Sequence, residues 1–464
     1  MTTRLAVRAR WALIHEDGGP RIVGDRWIVV EGDRIAAIAG DRPGGVDVVV
    51  DRPNLFVLPG LINLHNHVFT ESLIRGRSED LSKALYETNL VYGLLMPFGQ
   101  LAMQHLSPTE CEAIAEFGLM QLMKSGVTTL MESFRAGLTD PFVAAATRAG
   151  LRFYAGPYLF STPDLDIDAE GKPTYRAGSG DADAASLAEW RALHQRHNGG
   201  AGDRVRVILS PHATDTCGPD LLRATRRLAD EIGCLATIHV AQSREEVEKS
   251  RQLHGRSPTE LLEWTGLLGR DALLAHCCFS SDSDLDIVKR FGATVINCPR
   301  TFARGGVTAA FGRFHDHGLR TVVATDGYVP DIISELRTAG MVSKLAANDP
   351  GVATAAQLVD AVTGQAAAAL GRDDVGRLAP GARADLVAVD LGGVHVAPVV
   401  DPVNALVWRA HASDVWASVV DGRLVVGEGR YLAGDEPAIV ARAVAAIDKV
   451  TRIGESAGIL GRAK

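Results

Sequence analysis

The central part of the chain alternates short apolar runs with longer segments of helical periodicity. The apolar runs are rich in β-branched residues, as is typical of parallel strands buried on both faces. Between them, segments such as 108–126 and 218–233 repeat apolar residues at helical spacing. The predicted strands are 57–65, 127–132, 152–159, 204–212, 234–240, 272–278, 294–299 and 320–326. Strand–helix units in this number predict an α/β protein with a (β/α)8 TIM barrel over residues 57–370.

Both ends of the chain follow a different pattern, in which apolar and polar residues alternate. This alternation is typical of half-exposed antiparallel strands. It occurs in 26–40 and again in 415–432, where Asp421-Gly422 is a dipeptide that favours a hairpin turn. The sequence therefore predicts one small β-sandwich domain made from both ends, residues 1–56 and 371–432.

Two further segments differ from these patterns. Helical periodicity returns in 436–453, which predicts a helical C-terminal tail over 433–464. The stretch 164–184 is polar and rich in glycine, so we expect a long loop after the third strand that is able to act as a lid.

Composition and charge narrow the class of protein. The 464 residues carry a net charge of −8 with acids and bases mixed, which argues against nucleic acid or an anionic membrane as partner. The sequence shows no apolar run long enough to span a membrane and no recognisable signal peptide. Its six cysteines form no C-x-x-C pair, so we expect reduced thiols and a cytoplasmic location. We expect a homo-oligomer that binds a small-molecule substrate.

Side chains able to bind a metal fall at the predicted carboxyl ends of the strands, which converge on one face of a barrel. His65 and His67 alternate along an extended chain and therefore point the same way. The other members of this set end the fourth, fifth, sixth and eighth strands; they are His212, His239, His276 and Asp326. Imidazole and carboxylate groups in such number predict a metal site, and they suit zinc, iron, cobalt or manganese.

Two other histidine pairs are expected to bind no metal. His315 and His317 lie in a segment of helical pattern, where residues two apart point to different sides of the helix. His194 and His197 lie in a charged stretch that favours a solvated helix face.

Several longer motifs follow one another along the chain: LPGLINLHNH (58–67), ILSPHATDTC (208–217), TIHVAQSREEVE (237–248), LLAHCCFSSDSDLDIVKRFGATVINCP (273–299), VVATDG (322–327) and GRLAPGARADLVAVD (376–390). Their order resembles that of the amidohydrolase superfamily, and the resemblance covers essentially the whole chain. The branch it resembles contains cytosine, guanine and adenosyl-type deaminases together with s-triazine hydrolases.

The resemblance implies a role for each member of the set. The implied ligands of one divalent metal ion, zinc being the expected one, are His65, His67, His239 and Asp326. His276 would orient or activate the attacking water, and His212 would contact the substrate. Binuclear relatives use a carboxylated lysine at the end of the fourth strand. Here that strand contains no lysine, which indicates a single metal ion.

One residue departs from the deaminase pattern. Deaminases of this branch have a glutamate three residues after the histidine of the fifth strand, and this chain has Gln242, which cannot titrate. We expect Gln242 to bind substrate by hydrogen bonding. Glu245 and Glu246 open a helix nearby and are expected to face solvent or the helix N-terminus. The segment 297–306 also differs from the usual pattern, which indicates a rebuilt pocket.

The missing glutamate favours a metal-dependent hydrolase that cleaves the C–N bond of an amide, urea or carbamate. Phenylurea and thiocarbamate (molinate) hydrolases are the most similar class, with Asp326 accepting the proton of water and His276 steadying the developing charge. The first alternative is a deaminase or hydrolase of a nitrogen heterocycle such as a purine, pyrimidine, pterin or s-triazine. The second is a non-catalytic binding barrel stabilised by its metal.

Overall fold

Parallel strands arranged as a barrel form the centre of the computed structural model, which describes residues 3–80, 90–161, 166–167, 173–174 and 180–456. In chain order the barrel strands are Leu61–Asn63, Val127–Phe134, Arg152–Leu159, Val205–Val207 with Ser210–Pro211, Ala236–Val240, Ala272–His276, Thr294–Asn297 and Thr321–Val323. Their pairings are all parallel. The predicted TIM barrel is thereby confirmed.

The barrel consists of two sheets that meet at two seams. One sheet runs from the first strand to the fourth and the other from the fifth to the eighth. Isolated parallel bridges Leu209↔Ala236 and Ala213↔His239 join them on one side. The bridge Asn66↔Asp326 closes the barrel on the other side. Both seams therefore pass beside residues that the sequence marks as functional.

Helices surround the barrel, and their ends follow local sequence signals. Pro108–Lys124 begins with a capping box between Ser107 and Glu110, and Pro219–Ile232 ends at Gly233 in the left-handed conformation. The other helices up to the end of the barrel are Val68–Ile74, Leu90–Leu95 (π), Met96–His105, Ala136–Leu138 (3-10), Thr139–Ala149, Gly180–His197, Gly200–Asp203, Arg244–His254, Pro258–Thr265, Asp282–Phe291, Pro299–Ala303, Phe311–Asp316, Ile332–Ala347, Ala355–Ala361 and Gly364–Ala369.

A nine-stranded sheet combines both ends of the chain. Its strands are Arg4–Glu16, Gly19–Glu31, Arg34–Ala39, Val48–Val50, Leu55–Pro59, Leu386–Asp390, Val415–Val420, Arg423–Gly427 and Arg430–Tyr431. Leu55–Pro59 pairs with Arg4–Glu16 on one side and with Leu386–Asp390 on the other, which joins the two ends. An apolar cluster that includes Val7, Val57 and Leu386 packs on this sheet. Two short helices, Pro402–Trp408 and Ala412–Asp414 (3-10), lie between its later strands. The structure thus contains a sheet-rich unit from both ends, and its exact bounds stay a prediction.

The last described helix, Glu436–Ser456, packs against Pro108–Lys124. Ion pairs Lys124–Glu436 at 2.6 Å and Lys449–Glu110 at 3.0 Å flank this contact. Among the described residues no helix has the length and apolar character that crossing a membrane requires. Of the expected 164–184 loop, the paired strands Asp166–Ile167 and Pro173–Thr174 and the start of Gly180–His197 are described, and the remainder lies outside the described residues.

Candidate metal centre and active site

The set of histidines and aspartate from the strand ends meets at one point. His67 Nε2 lies 3.3 Å from His239 Nε2, and Asp326 Oδ1 lies 3.6 Å from His65 Nε2. The potential ligand atoms of His65, His67 and His239 all lie within 4.8 Å of one another, as do those of His65, His276 and Asp326. Residues from four separate strands thus form one compact group of potential ligands, here called the ligand group.

The donor chemistry of this group fits a cation. Both ring nitrogens of His65 and Nδ1 of His276 are buried without a hydrogen-bond partner among the described residues. Such buried orphan atoms are costly unless something binds them. Burial lowers the pKa of His67 to about 4 and that of His276 to about 3, so the rings are neutral and carry a free lone pair. A neutral imidazole is the form that binds zinc.

Backbone carbonyls orient two of the rings. His67 Nδ1–H donates to the carbonyl of Ser133 at 2.9 Å, and His239 Nδ1–H donates to the carbonyl of His212 at 2.6 Å. Because a carbonyl only accepts, each ring carries its proton on Nδ1 and presents Nε2 to the centre. Hydrogen bonds of this kind are typical of metal-binding histidines.

The backbone at the strand ends adopts strained conformations. His276 has φ 82°, and Asp326 has φ 57°, in the left-handed region that non-glycine residues avoid. Asp326 N–H donates to the carbonyl of His65 at 3.0 Å, and Gly327 N–H donates to Asp326 Oδ1 at 2.6 Å. Strain of this kind clusters at functional sites, and here these hydrogen bonds hold it in place.

A cavity of about 1350 Å³ opens above the ligand group. His212 and Gln242, the two predicted substrate-binding residues, both line it. His212 donates from Nδ1 to Thr216 Oγ1 at 2.9 Å, since that hydroxyl gives its own hydrogen to the carbonyl of Ala213. His212 Nε2 is therefore an acceptor. The apolar and aromatic wall includes Phe69, Leu95, Met96, Leu138, Phe160, Phe279 and Phe302.

Two lining residues, Glu132 and Tyr158, were missed by sequence reasoning. Glu132 is fully buried, accepts a hydrogen bond from Val68 N–H at 2.8 Å, and has its pKa raised well above the ordinary value by burial. The Tyr158 hydroxyl lies 3.3 Å from His67 Nδ1. Glu132 ends the predicted strand 127–132, so the rule that found the histidines could have found it. Nothing in the apolar run around Tyr158 marks that residue.

We expected Glu245 and Glu246 to face solvent or the helix N-terminus, and for Glu246 the expectation of a solvent-facing side chain is wrong. Glu246 is 1% exposed, and Glu245 lines the cavity. Glu246 accepts hydrogen bonds from Thr214 Oγ1 at 2.5 Å and from Gln242 N–H at 2.8 Å, and burial raises its pKa to about 8. The physical reason is that the first turn of Arg244–His254 packs against the loop after the fourth strand.

The other histidine pairs lie away from the site. His315 belongs to the helix Phe311–Asp316, and His317 pairs with Asp286 at 2.9 Å. On the helix Gly180–His197, His194 stacks on a tryptophan ring and His197 pairs with an aspartate. Among the described residues none of the four joins a group able to hold a metal. All six cysteines are free thiols.

Comparison with known proteins identifies the family. The profile of the Amidohydrolase family matches residues 56–425. The chain belongs to this family. The match spans the barrel, which carries every residue of the ligand group, and only part of the sheet-rich unit. This amidohydrolase is accordingly a hydrolase that acts on C–N bonds.

Several relatives are similar over nearly the whole chain. The 5-methylthioadenosine/S-adenosylhomocysteine deaminase of Nitratidesulfovibrio vulgaris is 30% identical over 92% of this chain and 91% of its own length. The 5'-deoxyadenosine deaminase of Methanothermobacter thermautotrophicus is 29% identical over 91% of this chain and 94% of its own.

Solved structures share the fold. An adenosine deaminase from Xanthomonas campestris with bound zinc has a TM-score of 0.85 at 22% identity, covering 97% of this chain and 99% of its own. Zinc-bound atrazine chlorohydrolase from Arthrobacter aurescens has a TM-score of 0.84 at 22% identity, with 96% and 100% covered. The two deaminase relatives support the heterocycle alternative better than the phenylurea or thiocarbamate interpretation.

Proposed function

We propose that this amidohydrolase removes an exocyclic amino group, or a comparable leaving group, from a nitrogen heterocycle. The observation that carries the proposal is the ligand group of histidines and Asp326 at the floor of a cavity walled by aromatic rings. The nucleoside deaminases and the triazine hydrolase to which the chain is similar act on substrates of this kind. We also retain the predictions of a small-molecule substrate, a homo-oligomer and a cytoplasmic location.

One zinc ion per chain is the proposed cofactor. The residues that would hold it are His65, His67, His239 and Asp326. When bound, such an ion supplies an acidified water and Lewis-acid polarisation of the bond to be cleaved. The fourth strand contributes no lysine to bridge a second ion.

Residues of the chain itself transfer the proton, hold the attacking water and bind the substrate. Asp326 takes the proton of the attacking water and passes it to the leaving group, so water and an amino-heterocycle yield a ring carbonyl and ammonia. His276 holds the water and the oxygen that develops charge. His212 Nε2 accepts a hydrogen bond from a substrate N–H, because its Nδ1 already donates to Thr216. Gln242 hydrogen-bonds to the ring without titrating.

The aromatic wall selects flat substrates and excludes water. The ring centroid of Phe302 lies 4.8 Å from that of His276 in a T-shaped contact. The ring centroid of Phe160 lies 4.9 Å from that of His212. Aromatic side chains in the wall of the cavity can stack on a flat heterocycle. Removing water from the site strengthens every electrostatic interaction inside it.

A second candidate is hydrolysis of an amide, urea or carbamate, including phenylurea and thiocarbamate substrates. Gln242 is the observation that favours it, since a carbonyl substrate has no ring nitrogen that must be protonated. The cavity wall suits a phenyl ring as well as a heterocycle, so the two candidates differ in leaving group rather than in shape.

A substrate panel with metal analysis tests the proposal. The panel contains 5'-deoxyadenosine, S-adenosylhomocysteine, guanine, atrazine, a phenylurea and a carbamate, each followed by product chromatography and ammonia release. We expect turnover of at least one heterocycle by protein with about one zinc per chain. His65→Ala should abolish it, and His317→Ala is the matched control. Turnover of the urea or carbamate alone would establish the second candidate. Metal-loaded protein that turns over nothing would favour the non-catalytic binding barrel.

A further inference from the structure

Glu246 lies at the seam where the two barrel sheets meet. Among the described residues, the fourth and fifth strands share only isolated bridges, and the carbonyl of His212 accepts both the backbone N–H of His239 at 3.1 Å and its ring Nδ1–H. Beyond these bridges the two loops separate. Thr214 is on one loop and Gln242 on the other. The carboxyl group of Glu246 bonds to both, one oxygen to each loop.

Helix capping alone does not explain this arrangement. Glu246 is the third residue of Arg244–His254, where an acid ordinarily bonds back to the N-cap N–H. The next helix shows that pattern, since Glu260 bonds to the N-cap Ser257 at 2.7 Å. Glu246 instead reaches past its N-cap, Ser243, to the preceding residue and across to another loop. It is also almost fully buried, whereas Glu260 is exposed.

We propose that Glu246 is a positioning residue that clasps the two loops and so fixes the separation between His212 and Gln242 across the substrate. The role rests on the proposed function, because these two residues are the proposed contacts to the heterocycle. A buried carboxyl group that accepts from both loops orients them before substrate arrives. Without Glu246, each loop remains attached to its own strand, but its position relative to the other loop is no longer fixed.

Four variants test the clasp. Glu246→Leu removes both acceptors at similar size, and Glu246→Gln keeps a carbonyl acceptor while the Thr214 hydroxyl can turn to accept from its amide. Thr214→Val removes one arm only. Glu260→Leu is the matched control, because its carboxylate occupies the same helix position and caps only its own helix.

Two measurements are made on each metal-loaded variant. Hydrogen exchange should be faster at residues 213–217 and 241–244 in Glu246→Leu, and unchanged there in Glu260→Leu. With a heterocyclic substrate, Glu246→Leu should raise KM and lower kcat/KM by about ten- to a hundredfold, the effect of losing two hydrogen bonds to a neutral carboxyl group. Metal content should stay near that of the wild type. Glu246→Gln should recover most of the loss, and Thr214→Val should show a smaller loss of the same kind.

The outcomes separate the clasp from the proposed function. Unchanged exchange in both loops of Glu246→Leu, or faster exchange with unchanged kinetics, overturns the clasp. If Glu246→Leu does not fold, Thr214→Val and Glu246→Gln test the clasp in its place. Hydrogen exchange and KM at wild-type values in both of these variants would overturn the clasp. Wild-type protein that turns over no heterocycle overturns the proposed function instead, and the exchange data still decide whether the loops are clasped.

Discussion

Buried polar groups differ between the two ends of the barrel. At the amino end they pair with one another, and at the carboxyl end some of them have no partner among the described residues. At the amino end, Arg152 opens the third strand and forms ion pairs with Asp385 at 2.8 Å and with Asp421 at 3.0 Å, all nearly buried. Arg383 adds a second cation to Asp421 at 3.0 Å. At the carboxyl end, His65 has no hydrogen-bond partner for either ring nitrogen among the described residues.

The difference separates stability from function. The amino-end network satisfies its charges within the chain and ties the barrel to the sheet-rich unit, because Asp385 and Asp421 belong to that unit. The carboxyl end leaves donors and acceptors open and keeps strained backbone, which costs stability unless a metal and substrate complete it. Substitutions at the two ends should therefore change different measurable properties.

The largest effect is expected at the carboxyl end. Asp326→Asn should lower kcat by more than about a thousandfold and reduce metal content, because it removes both a ligand and the proton carrier. Steady-state kinetics and elemental analysis of the same preparation check this. A variant with full metal content and near-normal kcat would remove Asp326 from both roles.

A large effect on stability is expected at the amino end. Arg152→Met should lower the free energy of unfolding by about 3–5 kcal/mol, since Asp385 would remain buried without its cation. Urea denaturation measures this, and activity per folded molecule should be unchanged. Arg21→Met is the control, because its pair with Glu16 is exposed to solvent and should contribute little to stability. Equal losses in the two variants would contradict the assigned role of the network.

Acid should weaken the ion pairs that Asp374 forms beside the amino-end network, with Arg372 at 2.6 Å and with Arg383 at 3.5 Å. The hydrogen bond from Arg372 is the main cause that lowers the pKa of Asp374 to about 2. A carboxyl with a depressed pKa stabilises the fold above its unfolded pKa, and this contribution is lost as pH falls through the folded value. Between about pH 4 and pH 2 the wild type should lose up to about 2 kcal/mol more than Asp374→Asn. Parallel urea curves for the two proteins would refute the assignment.

A moderate effect on activity is expected from Gln242→Ala, about tenfold in kcat/KM, as for one neutral hydrogen bond. Asp326→Asn in the same assay is the reference for a catalytic loss. Gln242→Glu restores a titratable group at this position, and we expect it to increase ammonia release from a ring substrate. If Gln242→Ala were as damaging as Asp326→Asn, Gln242 would have to take part in proton transfer or metal binding.

The smallest effect is expected away from both ends. His317→Ala should change neither metal content nor kcat, because its ring pairs with Asp286 on the outside of the barrel. Elemental analysis and kinetics alongside His65→Ala provide the comparison. Loss of metal in His317→Ala would mean that the metal site has been misplaced.

Local patterns identify the residues that meet at the site but not all of their neighbours. His65, His212, His239, His276 and Asp326 stand out because each is a polar group at the end of an apolar run. Tyr158 carries no such contrast, since a tyrosine in a strand is ordinary core. Glu246 misleads because its position in the first turn of a helix is typical of solvent-facing caps.

Periodicity and residue order alone predict the barrel, a β-rich unit from both chain ends and the convergence of the histidines and Asp326 on one face, because burial and strand direction repeat along the chain. Contacts between distant segments depend on how loops pack, and no local period encodes them. Only the tertiary structure therefore decides that Glu246 faces Thr214, that Tyr158 lies beside His67, and that Arg152 finds Asp385 and Asp421. Each of these contacts joins residues that lie close in space but far apart in the sequence.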